Sequence, residues 1–295
     1  MVFEVQSLPG LFLSRAMPRT VNLKKETTIN GARTRRWRVL VNDYPELATF
    51  HIARLGIESA CFPYLRVRLQ PAGSFFLACI KGEGRVRLEG RWQRVTAGSL
   101  CMAPPRVLNA LYAPPGQRWI YAWVLYDEPP GLKPLVDAAS PMRVRQGAVE
   151  LAHAITGLRQ EWDGERDPAQ MHHWVSIVHG LTFRSARPWR SGSRLATLWG
   201  GVANELATDW KLASLAERGH MSAEHLRRLC LRELGRTPME HVSYIRIQKA
   251  QQLIESTEDK VEVIAAQVGY HSGTVFTRAF VRCVGMTPSE YRARH

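Results

Sequence analysis

The chain has 295 residues, a net charge of +14 and an apolar fraction of 45%. This length is sufficient for two domains, and the composition is that of an ordinary soluble globular protein. No run of about 18 apolar residues occurs and the first residues lack the pattern of a secretory signal, so we expect a cytoplasmic protein without a membrane span. The five cysteines are widely spaced without a CxxC motif, which favours reduced thiols.

The positive charge suggests an anionic partner, but it is unevenly distributed. Residues 193–295 hold 14 Lys and Arg against 11 Asp and Glu, so most of the excess lies in the first 192 residues. Eight basic residues and one acidic residue fall between Arg15 and Arg38. This segment is either a solvated basic face or a direct nucleic-acid contact. Charge alone therefore does not identify the partner.

The region from about Arg36 to Pro129 has a β pattern, with short runs of Val, Leu, Phe, Tyr and Trp between Gly and Pro residues. Polar and apolar residues alternate in 64–69 and in 85–88. Such alternation predicts strands with one face on a core and the other in solvent. Hairpins at this spacing indicate a small antiparallel barrel or sandwich.

This β region lacks the residue combinations that are typical of active sites. Metal-dependent barrels of this kind hold their ion on paired histidines and a carboxylate, but no HxH occurs and His51 is the only histidine before residue 150. Neither a Ser/His/Asp set nor a pair of carboxylates at catalytic spacing can be assembled. We therefore expect a binding module without a metal, a cofactor or a catalytic residue.

The pattern becomes helical after Pro129. Apolar residues recur at helical spacing in 147–162, and Asp167-Pro168 then predicts an N-cap followed by a proline in the first turn of a second helix. These two helices could pack on the β domain or pair between protomers. Residues 187–193 are the best candidate for a linker, with Ser193 as the cap of the next helix.

The C-terminal part contains one sequence unit twice. Leu212–His241 and Val261–Tyr291 align with an offset of 49 residues in their first halves and 50 in their second halves, so the second copy has one inserted residue at a turn. Each copy predicts a short helix, a turn, a second helix capped by Ser222 or Ser272, and a glycine stop. A long helix joins the two copies.

The second helix of each copy has an outward face, because apolar residues at helical spacing mark the buried side. The outward positions are Glu224, Arg227 and Arg228 in the first copy and Thr274, Thr277 and Arg278 in the second. Arginine can donate two hydrogen bonds to guanine, and threonine can bond a base or contact the thymine methyl group. Backbone N–H groups at the helix start can bind phosphate. The duplicated unit therefore predicts DNA binding.

Two helix-turn-helix units, each followed by a GxTPxE sequence, closely resemble the DNA-binding domain of AraC/XylS-type transcription regulators. The resemblance covers about Ser193–Arg294. It implies that two recognition helices enter successive major grooves about one helical turn apart. Base contacts would fall at the six outward positions, and phosphate would lie near the caps Ser222 and Ser272.

A second resemblance lies in the β region, where Gly73–Asp127 is similar to the cupin-like sensor barrel of the same family. By position, the residues that contact the sugar in the arabinose-binding member correspond to Arg68, Tyr121 and Trp123. An arginine beside an aromatic wall suits a sugar or an aromatic acid as effector. Alternatively, the aromatic residues simply fill the barrel.

These observations predict an α+β protein with three parts. They are an effector-sensing cupin-like β-barrel, or jelly roll, at 1–140, a helical dimerisation or linker region at 141–190, and a double helix-turn-helix domain at 191–295. We expect a sequence-specific transcription activator, not an enzyme, with double-stranded DNA, a small-molecule effector, a second copy of the chain and RNA polymerase as partners. The alternatives are a non-specific architectural DNA-binding protein and a cupin enzyme fused to an interaction domain.

Overall fold

The computed structural model describes residues 2–4, 20–22, 26–129, 132–144, 146–186 and 194–293. The chain forms two compact units. The first comprises the described parts of Met1–Asp137 and Pro141–Ala186, and the second those of Ala138–Ser140 and Arg187–His295. The predicted linker and N-cap at 187–193 lie outside the described residues, as does most of the basic segment before residue 26.

The first unit is built mainly from antiparallel strands. They are β1 (Val2–Glu4), β2 (Thr20–Asn22), β3 (Glu26–Ile29), β4 (Arg35–Leu40), β5 (Ile52–Cys61), β6 (Tyr64–Arg68), β7 (Phe75–Lys81), β8 (Glu83–Leu88), β9 (Arg91–Thr96), β10 (Leu100–Ala103), β11 (Asn109–Ala113), β12 (Arg118–Tyr126) and β13 (Met142–Val144). A short 3-10 helix, Pro45–Phe50, precedes β5.

The strands after residue 25 form two sheets, in the orders β13-β10-β7-β12-β5-β4 and β3-β6-β11-β8-β9, while β1 and β2 pair separately. Side chains from both sheets make a common core that includes Leu77 and Trp119 from one sheet and Val86 and Leu111 from the other. This arrangement confirms the predicted jelly-roll-like β domain. Within the described residues, however, the strands form two facing sheets rather than a closed barrel.

The fully buried ring of Trp119 determines how closely the two sheets approach each other. A Cβ atom on Gly84 of β8 would lie 2.3 Å from this ring. Any side chain larger than hydrogen would therefore overlap the indole. The chain turns into β8 at Gly82, whose φ of +76° and close approach to the Arg118 carbonyl also favour glycine.

The prediction that one face of β6 lies in solvent is wrong. All of Tyr64–Arg68 is buried, and Arg66 and Arg68 are only 7% and 6% exposed. Their side chains lie between the sheets, whereas Leu65 and Val67 belong to a second apolar cluster. The polar face of this strand is therefore an inner face. In β8 the prediction is confirmed, because Val86 and Leu88 are buried and the arginines beside them are half-buried.

Two helices complete the first unit, α1 (Ala148–Asp163) and α2 (Pro168–Ala186). The predicted start of α2 is confirmed, since Asp167 Oδ1 accepts a 2.8 Å hydrogen bond from the N–H of Gln170 and Pro168 is the first helical residue. A Cβ atom on Gly157 would lie 2.5 Å from the Trp174 ring. The absence of a side chain at this position thus allows the two helices to pack closely.

The second unit is helical. Its helices are α3 (Arg194–Asn204), α4 (Leu212–Arg218), α5 (Ala223–Leu234), α6 (Pro238–Ser256), α7 (Val261–Gln267), α8 (Gly273–Val284) and α9 (Pro288–Arg292). One core surrounds Leu226 of α5, and another surrounds Phe276 of α8. The long helix α6 contributes Val242 to the first core and Ile247 to the second, so it is a common support for both halves.

The five cysteines are buried and form no disulfide bond. Burial raises the pKa of Cys101 and of Cys230 to about 12, so both thiols stay protonated at neutral pH. Among the described helices, none is long and apolar enough to cross a membrane.

Candidate nucleic-acid interface and ligand recess

The sequence repeat folds into two matching pairs of helices. The first helices, α4 and α7, have seven residues each, and the second helices, α5 and α8, have twelve each. In each pair an aliphatic residue of the first helix, Leu215 or Ile264, is completely buried beside the apolar side of the second helix. The predicted helix-turn-helix unit is therefore present twice.

The turn between the helices has the same backbone shape in both copies. His220 and Gly269 both have positive φ angles, of 51° and 85°. The residue that follows each of them donates its N–H to a carbonyl of the first helix, that of Ala216 or Ala265, at 3.0 and 2.8 Å. These atoms match at an offset of 49, whereas α5 and α8 match at 50. The inserted residue of the second copy is therefore His271, directly before the cap.

The predicted serine caps lie at the starts of α5 and α8. Ser222 Oγ accepts a 3.1 Å hydrogen bond from the N–H of His225, and Ser272 Oγ accepts a 3.5 Å bond from the N–H of Val275. Both serines are exposed. Each cap fixes the helix start while the other first-turn N–H groups stay available to solvent or to a ligand.

The outward face of α5 carries the three side chains predicted for the first copy. Glu224, Arg227 and Arg228 are exposed, and within the described residues neither arginine forms a hydrogen bond or an ion pair. The opposite face is anchored by Leu226 and Cys230, both 0% exposed. Two guanidinium groups of this helix are thus available for an external partner.

The outward face of α8 is less charged. Thr274 and Arg278 are exposed and Thr277 is half-buried, while Phe276 and Phe280 on the other side are completely buried. Arg278 is also without a hydrogen-bonding partner in the described part of the chain. This face therefore offers one guanidinium group and two hydroxyl groups.

The GxTPxE sequence has a structural role at the end of each unit. Gly235, with φ 71°, ends α5, and Thr237 caps the next helix through its hydroxyl while Glu240 accepts the N–H of Thr237 at 2.9 Å. Gly285 and Thr287 repeat this arrangement with φ 92° and the same capping box. The motif stops the second helix of each unit and starts the following helix.

The three residues predicted to bind an effector line one recess between the two sheets. Arg68 lies on β6, and Tyr121 and Trp123 share one face of β12. All three are at least nine-tenths buried. The structure thus brings Arg68 together with two residues that lie more than fifty positions later in the sequence.

Hydrogen bonds and ring contacts hold the recess side chains in place. Arg68 Nη1 donates to Asn109 Oδ1 at 3.2 Å, and its guanidinium carbon lies 4.7 Å from the centre of the Phe75 ring. The hydroxyl groups of Tyr121 and Tyr64 lie 2.5 Å apart. Burial raises the pKa of Tyr121 well above its ordinary value, so this pair is neutral. A hydrogen bond between two neutral tyrosines therefore orients the Tyr121 hydroxyl in the recess.

Two family models match the sequence at these two sites. The model described as an AraC-like ligand binding domain matches residues 61–149, which include the three recess residues. The model described as a helix-turn-helix domain matches residues 215–294, which include α5 and α8. The chain belongs to the AraC/XylS family of transcriptional regulators.

Relatives of this regulator include the MmsAB operon regulatory protein of Pseudomonas aeruginosa, 28% identical over 73% of this chain and 74% of that protein. The RCS-specific transcriptional activator RclR of Escherichia coli is 41% identical over 29% of this chain and 30% of that protein. ToxT of Vibrio cholerae, a solved structure, is 14% identical over 76% of this chain and 90% of that chain, with a TM-score of 0.37.

The family membership settles the class of function. The AraC/XylS-type regulator described above has a ligand-binding domain and a DNA-binding helix-turn-helix domain. It is a transcriptional regulator and not an enzyme, as the sequence predicts. Within the described residues, no group of His, Cys, Asp and Glu side chains has the arrangement of a metal site.

Two parts of the sites in this regulator were missed from the sequence. His225 and Val275 are exposed in the first turns of α5 and α8, next to predicted DNA contacts. Arg36 and Arg66 join the recess through Glu58, whose carboxylate lies 3.0 Å from both. The helical register could have identified the first two residues. The recess arginines were hidden because strand alternation does not show which face lies between two sheets.

Proposed function

We propose that this regulator is a homodimeric, sequence-specific activator of transcription that responds to a small molecule. Its organisation would follow the predicted bounds, with the sensor at 1–140, the dimerisation region at 141–190 and the DNA-binding domain at 191–295. One observation carries the proposal. Arg228 and Arg278 occupy the same position on α5 and α8, and both are exposed without an ion pair in the described part of the chain.

The two helices would read DNA through their outward faces. Arg228 and Arg278 can each donate two hydrogen bonds to the O6 and N7 atoms of a guanine. Arg227 supplies a further cation, and Glu224 can accept from cytosine N4 or orient Arg228 one turn later. Thr274 can form a hydrogen bond with a base or contact a thymine methyl group. Thr277 is half-buried, and the exposed part of its side chain can make the same contacts. Two such helices would bind successive major grooves on one face of the DNA.

Phosphate contacts would position these helices. The N-termini of α5 and α8 carry the partial positive charge of the helix dipole, and the exposed caps Ser222 and Ser272 mark those ends. Phosphate binding there would fix the register of each helix without reading the sequence.

The effector would bind at Arg68, Tyr121 and Trp123, in a recess of the sensor domain. It can alter transcription only if it binds one arrangement of the dimer more tightly than another. The protein would act in the cytoplasm. Its activated form would bind its DNA site and contact RNA polymerase bound beside that site.

The DNA assignment is tested with Arg228→Ala and Arg278→Ala on a site found by mapping the bound positions across the genome. Each variant should lose about 1–3 kcal/mol of specific binding free energy, because a bidentate guanine contact is removed. Lys249→Ala is the matched control, since Lys249 is an exposed cation on α6 rather than on a recognition helix.

Binding is measured by fluorescence anisotropy at physiological salt, with and without an excess of unrelated DNA. If both arginine variants keep the full specific affinity, the recognition-helix assignment is wrong. If unrelated DNA competes as well as the mapped site, the protein is a non-specific architectural binder instead.

A further inference from the structure

The recess between the two sheets has a strong excess of positive charge. We propose that it binds a small organic carboxylate, so that the effector of this regulator is an acid rather than a neutral sugar. This inference rests on the proposed role of the recess as the effector site, and it adds the chemical class of the ligand.

The arginines of the recess outnumber its carboxylates. The charged residues that line it are Arg36, Arg38, Arg54, Arg66, Arg68 and Glu26. Glu58 is not in the lining, but its carboxylate forms ion pairs with Arg36 and Arg66. Arg66 and Arg68 have side chains that are only 8% and 7% exposed. Five guanidinium groups share two carboxylates, and this net excess of positive charge in a concave site favours an anion.

The two carboxylates are each shared between two arginines. Glu58 lies 3.0 Å from Arg36 Nε and 3.0 Å from Arg66 Nη2. Glu26 lies 2.9 Å from Arg54 Nη2 and 3.3 Å from Arg68 Nε. Burial alone would raise the pKa of Glu26, but the nearby charges of Arg68 and Arg54, with the hydrogen bond from Arg54, outweigh burial and lower it. Both carboxylates are thus already engaged by arginines.

Donors remain available at the same place. Arg38 is exposed and forms no ion pair within the described residues, and Trp123 Nε1 is buried without a hydrogen bond in that part of the chain. Arg68 Nε lies 3.3 Å from Glu26 but does not donate a hydrogen bond to it. A carboxylate only accepts hydrogen bonds, whereas each sugar hydroxyl also needs an acceptor. The supply of donors therefore fits an acid.

The cavity has room for one small polar group of the ligand. The cavity volume is about 20 Å³, enough for roughly one water molecule or one small polar group. Arg36 and Arg38 lie on the outer strand β4, at the exposed rim. Gly56, which is paired with both Arg38 and Trp123, contributes no side chain between them. A carboxylate would enter the cavity from this rim, with the rest of the ligand beside β4.

The test compares acids with neutral molecules of the same shape. Benzoate, glucuronate and malonate are titrated into the full-length regulator by calorimetry, beside benzamide, glucose and malonamide. At least one acid should bind about tenfold more tightly than its neutral partner, which is the effect of one charge-assisted hydrogen bond. Equal binding of the members of every pair, or no binding of any acid, would overturn the inference.

Arg38→Gln tests the residues without disturbing the fold, because Arg38 is exposed. It should weaken the acid about tenfold and leave the neutral partner unchanged. Arg68→Lys keeps the charge but loses the planar fork, so it should weaken the acid as well. Arg35→Gln is the matched control, because it also removes one positive charge from β4. Arg35 does not line the recess, whereas Arg36 and Arg38 do. If Arg35→Gln weakens the acid as much as Arg38→Gln does, the effect is general surface charge.

The same titrations with the regulator on its mapped DNA site separate this inference from the proposed function. If a neutral sugar binds in the recess and changes DNA affinity, the regulator responds to an effector but the acid inference is wrong. If an acid binds and DNA affinity does not change, the anion site is real but its role as a sensor is wrong.

Discussion

The two helix-turn-helix copies share a scaffold but differ in what they expose. The lengths of α4 and α7, the lengths of α5 and α8, the serine caps and the glycine stops all match. The outward face of α5 has two arginines and a glutamate, whereas that of α8 has one arginine and two threonines. The shared features are those that form the helices and the turn, and the differing residues are those that can contact DNA.

The two copies also differ in their interiors. Arg236 and His241 of the first copy correspond, at an offset of 50, to Met286 and Tyr291 of the second. Arg236 is 2% exposed and its guanidinium carbon lies 3.8 Å from the centre of the Tyr244 ring. The first copy thus has buried basic groups where the second copy has an apolar and an aromatic residue. We expect the first copy to be the more sensitive to pH.

The largest difference in stability is expected at the turn. Gly269→Ala should destabilise the second unit by about 3 kcal/mol, because an L-residue is strained at φ 85° and the new Cβ would lie 2.3 Å from the Leu206 carbonyl oxygen. The matched change in the first copy, His220→Gly, should alter stability by less than about 1 kcal/mol. Urea denaturation followed by circular dichroism measures both. A loss of less than about 1 kcal/mol for Gly269→Ala would show that the second turn tolerates a side chain as the first one does at His220.

The next effect concerns the DNA. The half-site read by α5 should depend strongly on guanine, with each wrong base at an arginine contact costing about 1–3 kcal/mol. The half-site read by α8 should tolerate more changes, because threonine makes a single hydrogen bond or a methyl contact. Binding to a set of single-base variants of the mapped site gives the cost at each position. A more stringent α8 half-site would contradict the assignment of the two faces.

Much of this architecture follows from local sequence signals. The duplicated unit and its serine caps depend on residues close together in the chain, and each is found where the pattern predicts it. The direction of the Arg66 and Arg68 side chains depends instead on a second sheet that packs over β6. Strand alternation gives two faces but does not identify the inner one.

The same limit explains the recess. The family resemblance predicts Arg68, Tyr121 and Trp123 as effector contacts, and the structure places these three residues together. The ion pair between Arg66 and Glu58 joins β6 to β5, strands of different sheets, and no periodicity in either strand predicts it. A net charge of +14 likewise did not show that five arginines surround one cavity.

The smallest expected effect tests the interior of the first copy. His241 is 6% exposed, and burial, with the nearby charge of Arg236, holds its pKa well below the ordinary value of 6.5. The unfolded chain therefore binds a proton near pH 6.5 that the folded chain does not. Stability is complete above that pH and is lost as the pH falls below it.

Between pH 7 and pH 5.5 the loss assigned to His241 should be about 1 kcal/mol. His241→Gln removes the titrating group, so the variant should lose that much less stability over the same interval, whatever its stability at pH 7. Between pH 8 and pH 7 the two proteins should change in parallel, because the histidine is neutral in both states. Urea denaturation at the three pH values measures the free energy of unfolding. If the variant and the parent lose the same free energy below pH 7, His241 accepts its proton in the folded protein, and the buried basic groups do not make the first copy sensitive to acid.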